Sequence, residues 1–192
     1  MGMNLKKVLH QKVGEVANNV IIDPYTILES KLPLIVCVDD RRSLLGFLIK
    51  SHSGGNYNHI CEFHQTDLFA SQDPQGYREV PISNYIKPYL LMKFWSVKDI
   101  TDKQKKLWRE IIEADLNAPW KFRAYDILGF LGQALNIPWL QNSHKKYCSE
   151  RVASHLIDVF DMDLPKYPTP SALNEVFKKM PNMEVMGYYF QD

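Results

Sequence analysis

The chain has 192 residues, of which 45% are hydrophobic, 23% charged and 12% aromatic, a composition that fits one globular domain plus an extension. Disorder and collagen-like order are excluded by the aromatic content and by only 9 Gly and 11 Pro. Lys and Arg (23) nearly balance Asp and Glu (22), so no basic field argues for a nucleic-acid partner.

In chain order, residues 5–18 place Leu5, Val8, Leu9, Val13 and Val16 near helical spacing, and residues 1–30 are expected to form an N-terminal helical extension. Residues 32–38 are a continuous apolar run closed by Asp39 and Asp40, which predicts a buried strand. A short helix is expected over 42–50, followed by a polar loop over 51–58. Strands are expected over 59–63, 67–72 and 77–82, and another over 86–95 after Pro88. Residues 103–117 carry the clearest helical pattern, capped by Thr101 or Asp102, with Leu107, Trp108, Ile111, Ile112 and Leu116 on one face. Helices are also expected over 126–136, 148–160 and 171–180, with a strand over 185–190 at the end. No repeat or linker divides this pattern, so the expectation is a single α+β domain over 1–192. Its longest apolar stretches are too short or too interrupted for stable membrane insertion. The N-terminus lacks the apolar run and cleavage site of a signal peptide, and the odd count of three cysteines suits a reducing compartment. A cytoplasmic location is therefore expected.

Cys148 opens an amphipathic helix, where free backbone N–H groups and the positive end of the helix dipole favour thiolate. Cys37 and Cys61 lie in apolar strands, where burial favours the inert thiol, so Cys148 is expected to be the one readily alkylated. A thiolate hydrolase needs a base, and of the six histidines His59 opens a strand beside a glycine-containing loop, where its ring can face a cleft. His59, Cys61 and His64 look like a ligand cluster, but alternation sends His64 to the other face from the first two, so no metal is expected. Gly-rich phosphate loops and a Gly-x-Ser-x-Gly elbow are absent from the sequence, and no cofactor is expected.

Taken in order, several stretches resemble the circularly permuted NlpC-type papain-like cysteine hydrolases, in which a strand histidine precedes a helix cysteine. Asn56-Tyr57-Asn58-His59-Ile60 is similar to the histidine-bearing strand start of that family. Residues 34–50 resemble its opening strand and helix, though without the usual Gly-Asp before the strand, and Tyr125-Asp126 resembles its aromatic-Asp turn. Lys146-Tyr147-Cys148-Ser149-Glu150 is close to its nucleophile motif, and Thr169-Pro170-Ser171-Ala172-Leu173 resembles a late Ser-Pro turn.

The resemblance implies a papain-like fold, an antiparallel sheet packed against helices. It also implies attack by Cys148 on an amide or ester carbonyl with His59 as base, the two side chains about 3 to 4 Å apart. Implied substrates are a peptide, a peptidoglycan-type fragment or a lipid acyl group, and residues 126–140 are either a core helix or one wall of an acyl pocket. The family orients its histidine with a polar residue on the following strand, often Glu. Ungapped spacing from His59 and Pro81 selects Gln72 here, while a shift of one residue selects Ser71; Glu62 points to the opposite strand face. A neutral amide stabilises imidazolium less than a carboxylate does. With the missing Gly-Asp, that leaves a catalytically weak or inactive binding module on the same fold as the alternative.

Overall fold

The computed structural model describes residues 20–40, 55–88, 90–126 and 146–191. Six strands form one antiparallel sheet: β1 (Leu34–Asp40), β2 (His59–Gln65), β3 (Leu68–Asp73), β4 (Gly76–Pro81), β5 (Leu90–Val97) and β6 (Met183–Gln191). Their spatial order is β4-β3-β2-β1-β5-β6, so the most continuously apolar segment, β1, lies inside the sheet between β2 and β5. Among the described residues four helices accompany it: α1 (Asp102–Asn117), α2 (Trp120–Arg123), α3 (Cys148–Phe160) and α4 (Pro170–Phe177). The protein is α+β.

Alternation along the strands splits the core in two. Ile35, Cys37, Ile60, Ala70, Tyr77 and Trp95 meet α1, α3 and α4 through Trp108, Val152, Leu156 and Phe177. Val36, Val38, Cys61, Phe63, Phe69 and Phe94 form the other core, closed by Leu32, Ile82 and the flanking Ile22, Ile27 and Tyr85. Both faces of the sheet are therefore buried, which is why β1 reads as an unbroken apolar run rather than an alternating one.

The helix ends follow from their sequence. Thr101 caps α1 by accepting from the Gln104 N–H at 3.2 Å, while the Gln104 side chain accepts from the Thr101 N–H at 3.0 Å. α3 begins at Cys148, where Glu150 reaches back to the Tyr147 N–H at 3.1 Å, and ends at the left-handed Asp161. Thr169 and Pro170 open α4 as N-cap and first helical residue. It is shorter than the expected 171–180, since the chain turns at Lys178 into the approach to β6.

Within the expected N-terminal extension, the described residues form two 3-10 turns, Pro24–Thr26 and Glu29–Lys31. The helices expected over 5–18, 42–50 and 126–136 lie outside the described residues, apart from Asp126 itself, as do residues 51–54 of the loop expected over 51–58. Among the described residues no helix is long and apolar enough to cross a membrane.

Candidate functional site

β2 starts at His59, and the residues before it are clamped. The Asn58 side chain takes the Asp40 N–H at 3.0 Å and donates to the Asp40 carbonyl at 2.5 Å. Ser171 Oγ, in the first turn of α4, accepts from the Tyr57 N–H at 2.9 Å and donates to the Tyr57 carbonyl at 3.0 Å. The late Thr-Pro-Ser turn thus holds the approach to His59 across 114 residues of sequence.

The His59 ring leaves the strand toward the face that carries Val38 and Cys61. Its Nε2 lies 2.8 Å from Ser71 Oγ and 3.2 Å from the Tyr85 hydroxyl, and those two hydroxyls are 2.9 Å apart. Tyr85 stacks nearly parallel to the imidazole, at 7° and 6.1 Å between centroids, and sets its edge on Phe69. Burial lowers the His59 pKa from 6.5 to about 4, outweighing the pull of Asp73 and Asp40, so the ring is neutral at ordinary pH. Nδ1 makes no hydrogen bond among the described residues.

Cys148 is the first residue of α3 and is buried. Burial pushes its thiol up to about 11, although the backbone N–H groups of Ile60, Ser149 and Cys148 face the sulfur and favour its thiolate. The depressed pKa expected at a helix start is thus reversed by desolvation, and all three thiols are buried. Cys37 is raised further, to about 12, and Cys61 well above its ordinary value, both chiefly by burial. Cys148 sits over the Ile60 amide on the helix-covered face, and the His59 ring leaves from the preceding residue toward the other. The contact expected between them at about 3 to 4 Å is not formed: the His59 ring bonds Ser71 and Tyr85 on one face of the sheet, and Cys148 lies in the core on the other.

Gln72 does not orient His59. Its side-chain amide donates to the Arg123 carbonyl at 2.8 Å and accepts from Arg151 Nη2 at 3.2 Å, on the helix-covered face. The cause is a β-bulge. Gln65 pairs with Leu68, but the register shifts by one before Phe63 pairs with Phe69 and Glu62 with Ala70. Without that shift Gln72 stands on the His59 face; with it, Ser71 does.

A second polar cluster lies across the sheet. Glu62 takes Trp108 Nε1 at 2.6 Å, the Tyr77 hydroxyl at 2.9 Å and His155 Nδ1 at 3.0 Å to both oxygens. His155 Nε2 reaches Asp115 at 3.0 Å, and Asp115 pairs with Arg151, which donates to the Phe122 carbonyl at 2.7 Å. The carboxylates raise the His155 pKa to about 9 against the opposing effect of its burial, so both ring nitrogens donate. This network ties α3 to β2 and α1. Glu62 indeed points away from His59, as alternation requires, but nothing local in the sequence marks its partners.

His64 is buried with its Nε2 3.3 Å from Glu79, apart from His59 and Cys61. Among the described residues no group of three or more His, Cys, Asp or Glu side chains gathers as metal ligands. His10, His52 and His144, and residues 127–140 of the candidate pocket wall, lie outside the described residues. No family model matches the chain, and no curated protein matches it.

Proposed function

We propose that this protein is a thiol hydrolase of the papain-like, permuted NlpC type, cleaving an amide or ester with Cys148 as nucleophile and His59 as base. The observation that carries this reading is the placement of the Cys148 sulfur against the Ile60 N–H, one residue from a histidine whose Nε2 is held by Ser71. His59 is the first residue of β2, paired with Val38 of β1, and Ile60 beside it faces Cys148. Nδ1, with no hydrogen bond to a described residue, is the nitrogen left for the thiol.

In this reading the thiol proton passes to His59 Nδ1 as the sulfur bonds the substrate carbonyl carbon. The oxyanion is met by the Cys148 N–H, which as the first helical residue has no intrahelical acceptor. His59 returns the proton to the departing nitrogen or oxygen, leaving a thioester. Water then gives a proton to His59 as its oxygen attacks that carbonyl, and the released thiolate is reprotonated. Both members of the pair rest uncharged, so the proton moves during attack rather than in a preformed ion pair. The substrate classes are those of the resemblance, a peptide or peptidoglycan-type isopeptide, or a lipid acyl group.

The test is acyl transfer itself. Incubation with an activated p-nitrophenyl ester is expected to add one acyl group, located by peptide mass spectrometry on Cys148, and to release nitrophenol catalytically. Acylation of Cys37 or Cys61 instead, or none at all, would overturn the reading. A second reading, a non-catalytic binding module on the same fold, is favoured by the elevated thiol pKa and by hydroxyls where a carboxylate partner for His59 is usual. It predicts no acylation.

A further inference from the structure

We infer that the Tyr85 hydroxyl is a positioning group for His59, acting with Ser71 so that two hydroxyls hold Nε2. Tyr85 follows the 3-10 turn Ile82–Asn84, outside both strands of the hairpin that supplies His59 and Ser71. Three contacts fix it: the hydroxyl at 3.2 Å from Nε2, the same oxygen at 2.9 Å from Ser71 Oγ, and a ring edge on Phe69. Its stacking against the imidazole at 7° restrains the tilt of the ring, which the single Ser71 contact leaves free.

The chemistry of two hydroxyls differs from that of a carboxylate. A carboxylate only accepts, so it fixes the proton on the nitrogen it meets and stabilises imidazolium. Ser71 and Tyr85 can each donate or accept. They satisfy Nε2 whether or not it carries the proton, and they place no full charge beside the ring. The charged groups acting on the ring are Asp73 and Asp40, and their pull is overcome by burial. Burial also raises the Tyr85 pKa, so the phenol stays protonated and remains a donor. The consequence for rate rests on the hydrolase reading, while the position of the ring rests on the contacts alone.

The test is nitrogen-15 NMR of the imidazoles, with the His59 signals identified by their loss in His59→Ala. Tyr85→Phe keeps the ring and removes one oxygen. It is expected to move both His59 nitrogen shifts and to leave the His155 signals in place. The pH profile of Cys148 alkylation is the second readout, expected to fall roughly fivefold at neutral pH, the equivalent of one ordinary hydrogen bond. The Ser71→Ala/Tyr85→Phe double variant is expected to lose less than the product of the two single losses, because the hydroxyls share one nitrogen. A ring-fluorinated tyrosine at position 85 acidifies the hydroxyl while preserving the packing, and serves if Tyr85→Phe does not fold. His59 shifts unchanged in both variants would overturn the inference. Equal Cys148 reactivity in wild type and His59→Ala would instead overturn the hydrolase reading, with the NMR result still deciding the role of Tyr85.

Discussion

His59 and His155 stand on either side of β2, and their surroundings differ in kind. His59 meets two neutral hydroxyls and is driven toward its uncharged form, about 4. His155 is clasped by Glu62 and Asp115 and held as a cation, about 9. Glu62 stands three positions after His59, and strand alternation turns one toward each face. The protein thus uses a buried carboxylate–histidine pairing to anchor α3, the helix that presents Cys148, and sets two neutral hydroxyls directly against the candidate base. A carboxylate next to a histidine in sequence says little about which histidine it serves.

The comparison can be broken most severely at Glu62. Glu62→Ala leaves His155, Tyr77 and Trp108 without their shared acceptor in a buried site, and is expected to cost about 3 to 5 kcal/mol in urea unfolding. His59→Ala removes bonds to neutral hydroxyls only and is expected to cost about 2 kcal/mol or less. Equal losses would mean that the two sites are not different in kind.

Acid and base limits of stability should separate next. The folded pKa of His155 is raised from 6.5 to about 9, so its stabilisation is complete below about pH 6.5 and is lost as pH rises to 9. The folded pKa of His59 is lowered from 6.5 to about 4, so the unfolded chain binds the extra proton and stability falls as pH drops through that window. Thermal melts across pH should show the alkaline loss weakened in Glu62→Gln and the acid loss weakened in His59→Ala.

Smaller effects distinguish neighbours on β3. Ser71→Ala is expected to slow ester hydrolysis about tenfold with little change in stability. Gln72→Ala is expected to cost about 1 to 2 kcal/mol through its bonds to Arg151 and Arg123, with hydrolysis within about threefold of wild type. The reverse pattern would place Gln72 at the histidine after all. Smallest is Ser171→Ala, expected to lower stability by about 1 kcal/mol by freeing the Tyr57 backbone ahead of His59.

Much of this architecture was legible in the residues. The start of β2 at His59 and the span of α3 follow from periodicity and capping, while β1 lies at Leu34–Asp40, two residues later than the apolar run over 32–38, and takes in the aspartates expected to close it. What was not legible depends on register and burial. Gln72 is the residue that ungapped counting selects, and a single bulge between Phe63 and Gln65 replaces it with Ser71. No composition signal marks that bulge. Thiol acidity does not follow from position alone, because the helix start acts against a burial that only the packed structure reveals. Tyr85 lies 26 residues beyond His59, and Asp115 of α1 meets both His155 and Arg151 of α3. Such contacts belong to tertiary packing, and no local pattern announces them.

The most direct measurement of the central claim is the rate of Cys148 alkylation by iodoacetamide from pH 5 to 11, read by mass spectrometry in wild type and His59→Ala. An unassisted thiol with a pKa near 11 reacts only as pH approaches that value. If His59 serves as its base, the wild type gains a plateau of reactivity above about pH 4, where the imidazole is free, and His59→Ala loses at least tenfold of it at neutral pH. Superposable profiles that rise only toward pH 11 would contradict the account and leave Cys148 a buried structural thiol.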